Sequence, residues 1–276
     1  MLFNKNKNFS DISPLCYEIS KQKGIAQRNI QDMMTKETFA SQKQTEKLAN
    51  LVYAHDNVII KVGKGIDPIL QENKGVNIQL ACKELNGLII QPQETFSFWH
   101  LIGKTSKKRG YKPGRVIEKN DVKPGYGGGL CNLANTINLT VLHSPLKITE
   151  FHTHSDALAC DVDHRVPLSA GTSVCYNYID YRFKNTTDQK IQLLTWVEDG
   201  KLKVELRSEK PFPYEYEIVE EGHHFHKEND KMYRISKIYQ NTKNAKTHEL
   251  IDHKLIWDNH SLVQFDYDLI PENQIQ

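Results

Sequence analysis

The 276-residue sequence lacks any apolar run approaching the roughly 20 residues of a membrane-spanning helix. Its start, Met1-Leu2-Phe3-Asn4-Lys5, soon meets Asn, Lys, Asp and Ser, so no secretory core is expected there. It also lacks a paired-cysteine motif. The five cysteines, Cys16, Cys82, Cys131, Cys160 and Cys175, are odd in number and scattered, which favours reduced thiols and a cytoplasmic protein, in solution or at the inner membrane face. Charge of one sign is missing too: the formal net charge is +2, which argues against a nucleic-acid partner held by a strong overall field. One basic cluster, Lys104, Lys107, Lys108, Arg109, Lys112 and Arg115, has no regular spacing and reads as a solvated loop. No repeat of solenoid length and no long low-complexity linker occur.

What is present is ordinary globular material, 38% hydrophobic and 25% charged, long enough to bury a core without a metal or disulfide staple. The first fifty or so residues are polar and lysine-rich, with helical potential from Ile12 to Met34. A more compact stretch begins near Val58. It contains an expected helix from Asn77 to Leu85, stopped by Asn86-Gly87, and a buried strand Leu88-Ile89-Ile90. A second helix starts at the run Gly127-Gly128-Gly129, shows apolar residues at Leu133, Ile137 and Val141, and ends at His143-Ser144-Pro145. In an extended strand beyond Pro145, Ile148, Glu150, His152 and His154 share one face.

Another strand is expected from Ser173 to Phe183, ending in the turn Asn185-Thr186-Thr187-Asp188. A hairpin follows, Ile191 to Val197, the turn Asp199-Gly200, then Leu202, Val204 and Leu206 alternating with charged residues. From Pro211 onward come short aromatic-rich β segments. The fold class is α+β: a helical lead-in over 1–55, a mixed core over 56–210 with the cysteine-bearing helix packed on antiparallel strands, and a β-rich extension over 211–276.

Cys131 stands where several helix amides lack internal partners and where glycine backbone lets a ligand approach closely. Such amides stabilise a thiolate, lowering the thiol below its usual value of about 8.5, and suit the oxyanion of an acyl transition state. A cysteine nucleophile needs a base, and His154 is the first choice with His152 beside it. Asp180 is the preferred orienting carboxylate, ahead of Asp161 and Asp156. Gly127, Gly128 and Gly129 would line the substrate side. Against this stands the plain alternative of a tight turn and a small core thiol.

A competing arrangement takes His152, His154, Asp156, Asp161, Asp163 and His164 as metal ligands, but no recognised ligand pattern is complete, so neither a metal nor another cofactor is expected. The glycine run lacks the Lys and Ser/Thr of a phosphate-binding loop. Tyr176, Tyr178 and Tyr181 are read as packing residues rather than a stacking platform.

Several ordered segments carry a resemblance: Glu94-Thr95-Phe96-Ser97-Phe98, Gly103, Gly110-Tyr111, Gly127-Gly128-Gly129-Leu130-Cys131, His143-Ser144-Pro145-Leu146, and Tyr178-Ile179-Asp180 followed by Phe183-Lys184-Asn185. From about Val58 to Arg207 the sequence resembles VanW proteins. The resemblance implies a bacterial accessory role in glycopeptide resistance or cell-envelope metabolism. A cysteine-dependent hydrolase or acyl transferase on a cell-wall precursor peptide would fit it, as would a noncatalytic module binding a peptide carboxylate. Two departures stand out. Asn132 follows the cysteine where the family commonly has Gln, shortening an amide that would meet substrate or histidine, and Gln93 replaces a usual Gly.

Overall fold

The computed structural model describes residues 9–60, 67–118, 121–153, 156–157, 167–168 and 171–276. Helix α1 (Pro14–Met34) starts where the sequence supplies both signals: Ser13 caps it by accepting from the Cys16 amide at 3.1 Å, and Pro14 opens the first turn. The chain then runs extended and is stitched to the core by backbone bonds, among them Ala40 N to Thr95 O (3.0 Å) and Gln44 N to Gly87 O (2.8 Å). Strand β1 (Asn50–Val58) leads to helix α2 (Pro68–Leu85), capped by Asp67 and stopped at Asn86 and Gly87. Gly87 has φ +80°, and a side chain there would meet the Gln44 carbonyl at 2.5 Å, so only glycine fits. The expected helix end is correct, while its start lies nine residues earlier than Asn77.

Short elements follow: β2 (Leu88–Ile90), β3 (Thr95–Ser97), α3 (Phe98–Ile102) and the hairpin β4 (Pro113–Glu118) with β5 (Asp121–Tyr126). Then come the cysteine-bearing α4 (Leu130–Leu142), β6 (Lys147–Glu150), β7 (Asp156–Ala157) and β8 (Arg182–Lys184). The remainder is β: β9 (Ile191–Glu198), β10 (Lys201–Ser208), β11 (Tyr214–Glu228), β12 (Lys231–Asn244) and β13 (Leu250–Val263). The strands form sheets in the orders β1-β10-β9-β2, β3-β8-β6, β4-β5 and β11-β12-β13-β7, antiparallel except for the β13–β7 edge. The protein is α+β, as the pattern of helices and hairpins implied.

The β9–β10 turn has Asp199 at φ 51° and Gly200 at φ 71°, the two left-handed residues a tight hairpin demands. On β10 the burial alternates, with Leu202, Val204 and Leu206 turned inward against α2 and α4, which contribute Ile78, Ala81, Leu85, Leu133, Ile137 and Val141. Strand β9 is buried on both faces because the extended segment after α1 covers its outer side. There Gln192, fully buried, donates to the Gln44 and Glu46 carbonyls and accepts from the Leu48 amide.

The strand expected over Ser173–Phe183 is mostly absent. Cys175 to Ile179 instead close a turn through mutual backbone bonds of 2.9 and 3.0 Å, with Asn177 left-handed at φ 47°, and only Arg182–Lys184 pairs as strand. Tertiary contacts outweigh the β propensity of the tyrosines: Tyr176 meets Trp99 edge-on, and Tyr181 is buried among Phe96, Phe151 and Phe183. The β-rich extension has its own small core around Phe225, Met232 and Val263, and joins the main body where Gln240 donates to the Leu142 carbonyl at 2.6 Å.

Candidate functional site

The glycine run is a contact between two backbones. Gly128 lies against Gly114 of β4, so that a Cβ on Gly128 would sit 2.2 Å from the Gly114 carbonyl carbon. Asn77 of α2, fully buried, locks this contact: its amide nitrogen donates to Lys112 O (2.9 Å) and Gly128 O (3.0 Å), and its oxygen accepts from Lys112 N (2.8 Å). Gly127 and Gly129 are left-handed at φ 81° and 100°, and Gly129 caps α4 without a side chain. Fixed in this way, the loop delivers Cys131 to the first turn of the helix.

Cys131 keeps a little accessible surface, and its thiol donates to the Val174 carbonyl at 3.6 Å. Burial pushes the thiol up and is the largest effect on it. The expected resting thiolate is therefore corrected: stripping water from the sulfur outweighs the pull of the helix amides. Next to it, Asn132 donates its backbone N–H to Gly129 O at 3.0 Å, while its side-chain oxygen is buried without a hydrogen-bond partner among the described residues.

Residues 172–174 connect the cysteine to the histidine segment. Ser173 N donates to His152 O at 2.8 Å, Thr153 bridges to Thr172, and Val174 receives the thiol. Asn135, one turn beyond the cysteine on α4, anchors the same stretch by accepting from Thr172 N (3.2 Å) and Thr172 Oγ1 (2.8 Å). The His152 ring lies beyond the end of β6, 43% exposed, with Nε2 3.0 Å from Glu150 Oε1. His154 lies outside the described residues, as do Asp161, Asp163 and His164 of the metal arrangement. Among the described residues no three His, Cys, Asp or Glu side chains gather as a metal site.

Asp180 is fully buried and its acceptor positions are taken. Oδ1 receives Trp99 N (3.0 Å) and Tyr181 N (2.9 Å), and Oδ2 receives Ser97 Oγ (2.6 Å) and Arg182 Nε (2.7 Å). Four bonds fill a carboxylate. Asp180 thus ties β3 and α3 to β8 and aims Arg182, whose far nitrogens grip Asp32 of α1 at 2.9 and 2.8 Å. The carboxylate that meets His152 is Glu150, which also binds the Arg28 guanidinium and the Asp180 amide. Sequence reasoning had put Glu150 and His152 on one strand face but gave Glu150 no role. That period-two spacing was the available signal.

Glu94, Phe96 and Asn185 of the other segments make packing and turn contacts. Glu94 accepts from Gln91 N within the turn before β3, Phe96 stacks on Phe183 at 4.6 Å, and Asn185 donates to the Ile90 and Gln189 carbonyls. Gln93, in the place of a usual glycine, sits at φ 70°. In the basic cluster, Arg109 braces its loop on Ile102 O, Lys104 O and Glu84. No helix among the described residues is long and apolar enough to cross a membrane.

Comparison with known proteins agrees with the shared segments. The family model described as VanW like protein matches residues 73–207. Vancomycin B-type resistance protein VanW of Enterococcus faecalis (strain ATCC 700802 / V583) is 30% identical over 212 residues, covering 77% of each chain. Uncharacterized protein YoaR of Bacillus subtilis (strain 168) is 28% identical over 137 residues, half of this chain and 44% of that protein. No solved structure matches significantly. With a match of that extent to VanW, and with the matched region carrying the Cys131 loop and the Ser97–Asp180 contact, the chain belongs to the VanW family.

Proposed function

We propose that this protein is a cysteine-dependent acyl transferase or hydrolase acting on a cell-wall precursor peptide, in glycopeptide resistance or cell-envelope metabolism. The observation that carries the reading is the ladder in which Val174 receives the Cys131 thiol while the adjacent Ser173 holds the His152 carbonyl. A nucleophile and a histidine-bearing segment thereby flank one short stretch of chain. The resistance context comes from the printed name of the Enterococcus relative.

Because the thiol rests protonated, the chemistry starts with a base. His154 is the first choice, and His152, oriented by Glu150, the second. The base takes the Sγ proton, sulfur bonds to the substrate carbonyl carbon, and the Leu130 and Cys131 amides, at the start of a helix with no side-chain cap, serve the developing oxyanion. The C–N bond then breaks, with the proton passing to the leaving amine. Water or an acceptor amine attacks the thioester carbon and frees Cys131. Gly127, Gly128 and Gly129 frame the entry, and the partnerless Asn132 oxygen accepts a substrate N–H. Asp180 is a positioning residue through Arg182. The protein needs no cofactor for this sequence of steps.

The buried, protonated thiol also favours a second reading, a noncatalytic module whose loop amides recognise a peptide carboxylate. Incubation with a synthetic precursor peptide, followed by intact-protein mass measurement and product analysis, separates the two. A thioester adduct or shortened product, lost in Cys131→Ala while that variant keeps the wild-type melting temperature, supports the enzyme. Calorimetric binding with neither adduct nor product overturns it in favour of the module.

A further inference from the structure

Helix α1 is oriented opposite to an ordinary surface helix. Its polar side faces the protein: Arg28 pairs with Glu150, Asp32 with Arg182, and Asn29 accepts from Asn177 at 2.6 Å. Gly24 passes so close to Tyr178 that a Cβ there would sit 2.9 Å from the ring. Not one of its 21 residues is buried. The apolar side faces outward, with Leu15 70%, Ile19 50%, Ile30 51%, Met33 80% and Met34 79% exposed. At about 100° per residue these positions fall within one stripe about 120° wide, along a helix about 30 Å long. Soluble proteins seldom leave so extended an apolar stripe uncovered.

The charge at its midpoint selects the occupant. Lys23 lies within the stripe, exposed and with no carboxylate partner among the described residues. In a two-fold pairing with a second copy, the middle of the helix meets itself, so Lys23 would face its own equivalent in a drying interface. At a lipid surface the same side chain extends its stem along the apolar layer and sets its ammonium among phosphates. We infer that α1 docks this protein on an anionic bilayer surface, lying in the interfacial plane with Ile19 and Ile30 inserted and Lys23 at the headgroups. The ion pairs on the opposite face hold the Glu150–Arg182 network, and the Cys131 segment behind it, against that surface.

The test is co-sedimentation of the full chain with large vesicles of equal phosphatidylglycerol and phosphatidylcholine, and with phosphatidylcholine alone. The expected result is binding to the anionic vesicles, weakened more than about tenfold in Ile19→Gln/Ile30→Gln by loss of apolar insertion. Lys23→Gln should weaken it about fivefold on anionic vesicles and hardly at all on neutral ones. Both variants should melt with the wild type, since these side chains face outward. Cys131→Ala should bind vesicles normally, so failure here is distinct from failure of the proposed chemistry. Absence of wild-type binding overturns the inference. So do unchanged partition of the double variant, and light scattering that finds a dimer broken by it.

Discussion

Replacing Gly128 by alanine perturbs the loop that carries Cys131 without touching the sulfur. The new Cβ would lie 2.2 Å from the Gly114 carbonyl carbon, 2.5 Å from its oxygen and 2.6 Å from Arg115 N, where ordinary contact begins at 3.4 Å. Both sides are backbone, so no rotamer change relieves the clash, and the glycine loop and β4 must part. Parting them stretches the Asn77 bonds to Lys112 and Gly128. Overpacking costs about 1–3 kcal/mol and each of the three hydrogen bonds lost about 1 kcal/mol, so a loss of about 4–6 kcal/mol is expected. For a chain of this size that lowers the melting temperature by roughly 10 °C or more. Gly114→Ala forces the same separation, because its Cβ would meet Gly128 O at 2.7 Å. The double variant should therefore cost less than the sum of the singles by about 1–3 kcal/mol. Gly200→Ala is the control: nothing lies within 4 Å, and only its left-handed φ of +71° opposes it, about 1 kcal/mol. Urea unfolding of the four variants decides the matter. A Gly128→Ala protein within about 1 kcal/mol of wild type, or strict additivity, would refute the backbone-contact account.

Three further outcomes are expected. Iodoacetamide at pH 7 should label Cys131 more slowly than Cys16, with a rate still rising above pH 9, because burial raises the Cys131 thiol; peptide mapping checks it, and faster labelling of Cys131 would contradict the desolvation argument. Gln93→Gly should stabilise by about 0.5–1 kcal/mol in urea, since it relieves a φ of 70°, and a loss of stability would mean that the Gln93 side chain contributes something the geometry hides. Burial lowers both His55 and His143, so the folded protein favours their neutral forms: the stability they confer is complete above the ordinary histidine value and is lost as pH falls through their depressed values. Urea midpoints between pH 8 and 5 should decline on the acid side, less steeply in a His55→Gln/His143→Gln variant.

The elements legible in the sequence were those with local causes. Asp199-Gly200 announces its hairpin because only two left-handed residues close it, and Gly87 announces the end of α2. The stretch 173–183 was misread because its tyrosines are strand formers by propensity, while Trp99, α1 and the aromatic core decide where their rings go. Strand β1 was not anticipated, since Asn50–Val58 alternates weakly and becomes a strand through pairing with β10, some 150 residues later in the chain. At the site, Cys131 was conspicuous because glycine has so few reasons to occur three times in succession. The role of Glu150 was not, because it depends on Arg28 and Asp180 arriving from distant segments.

The same contrast explains the thiol. Sequence supplies the helix amides, whose effect on a neighbouring sulfur is local and favours thiolate. It does not supply the Val174 carbonyl, which reaches Cys131 only because Asn135 anchors Thr172 and His152 receives Ser173. A carbonyl oxygen next to the sulfur accepts a proton-bearing thiol and repels a thiolate, so the hydrogen bond and the desolvation both belong to the protonated resting state. In the proposed cysteine chemistry, activation would require the 172–174 stretch to yield, exposing the sulfur to a base on the histidine segment. Asn135 holds that stretch from the α4 side and Asn77 holds the glycine loop from the α2 side. In that chemistry these two buried amides, which fix the segments on either side of Cys131, would govern how readily the thiol is unmasked.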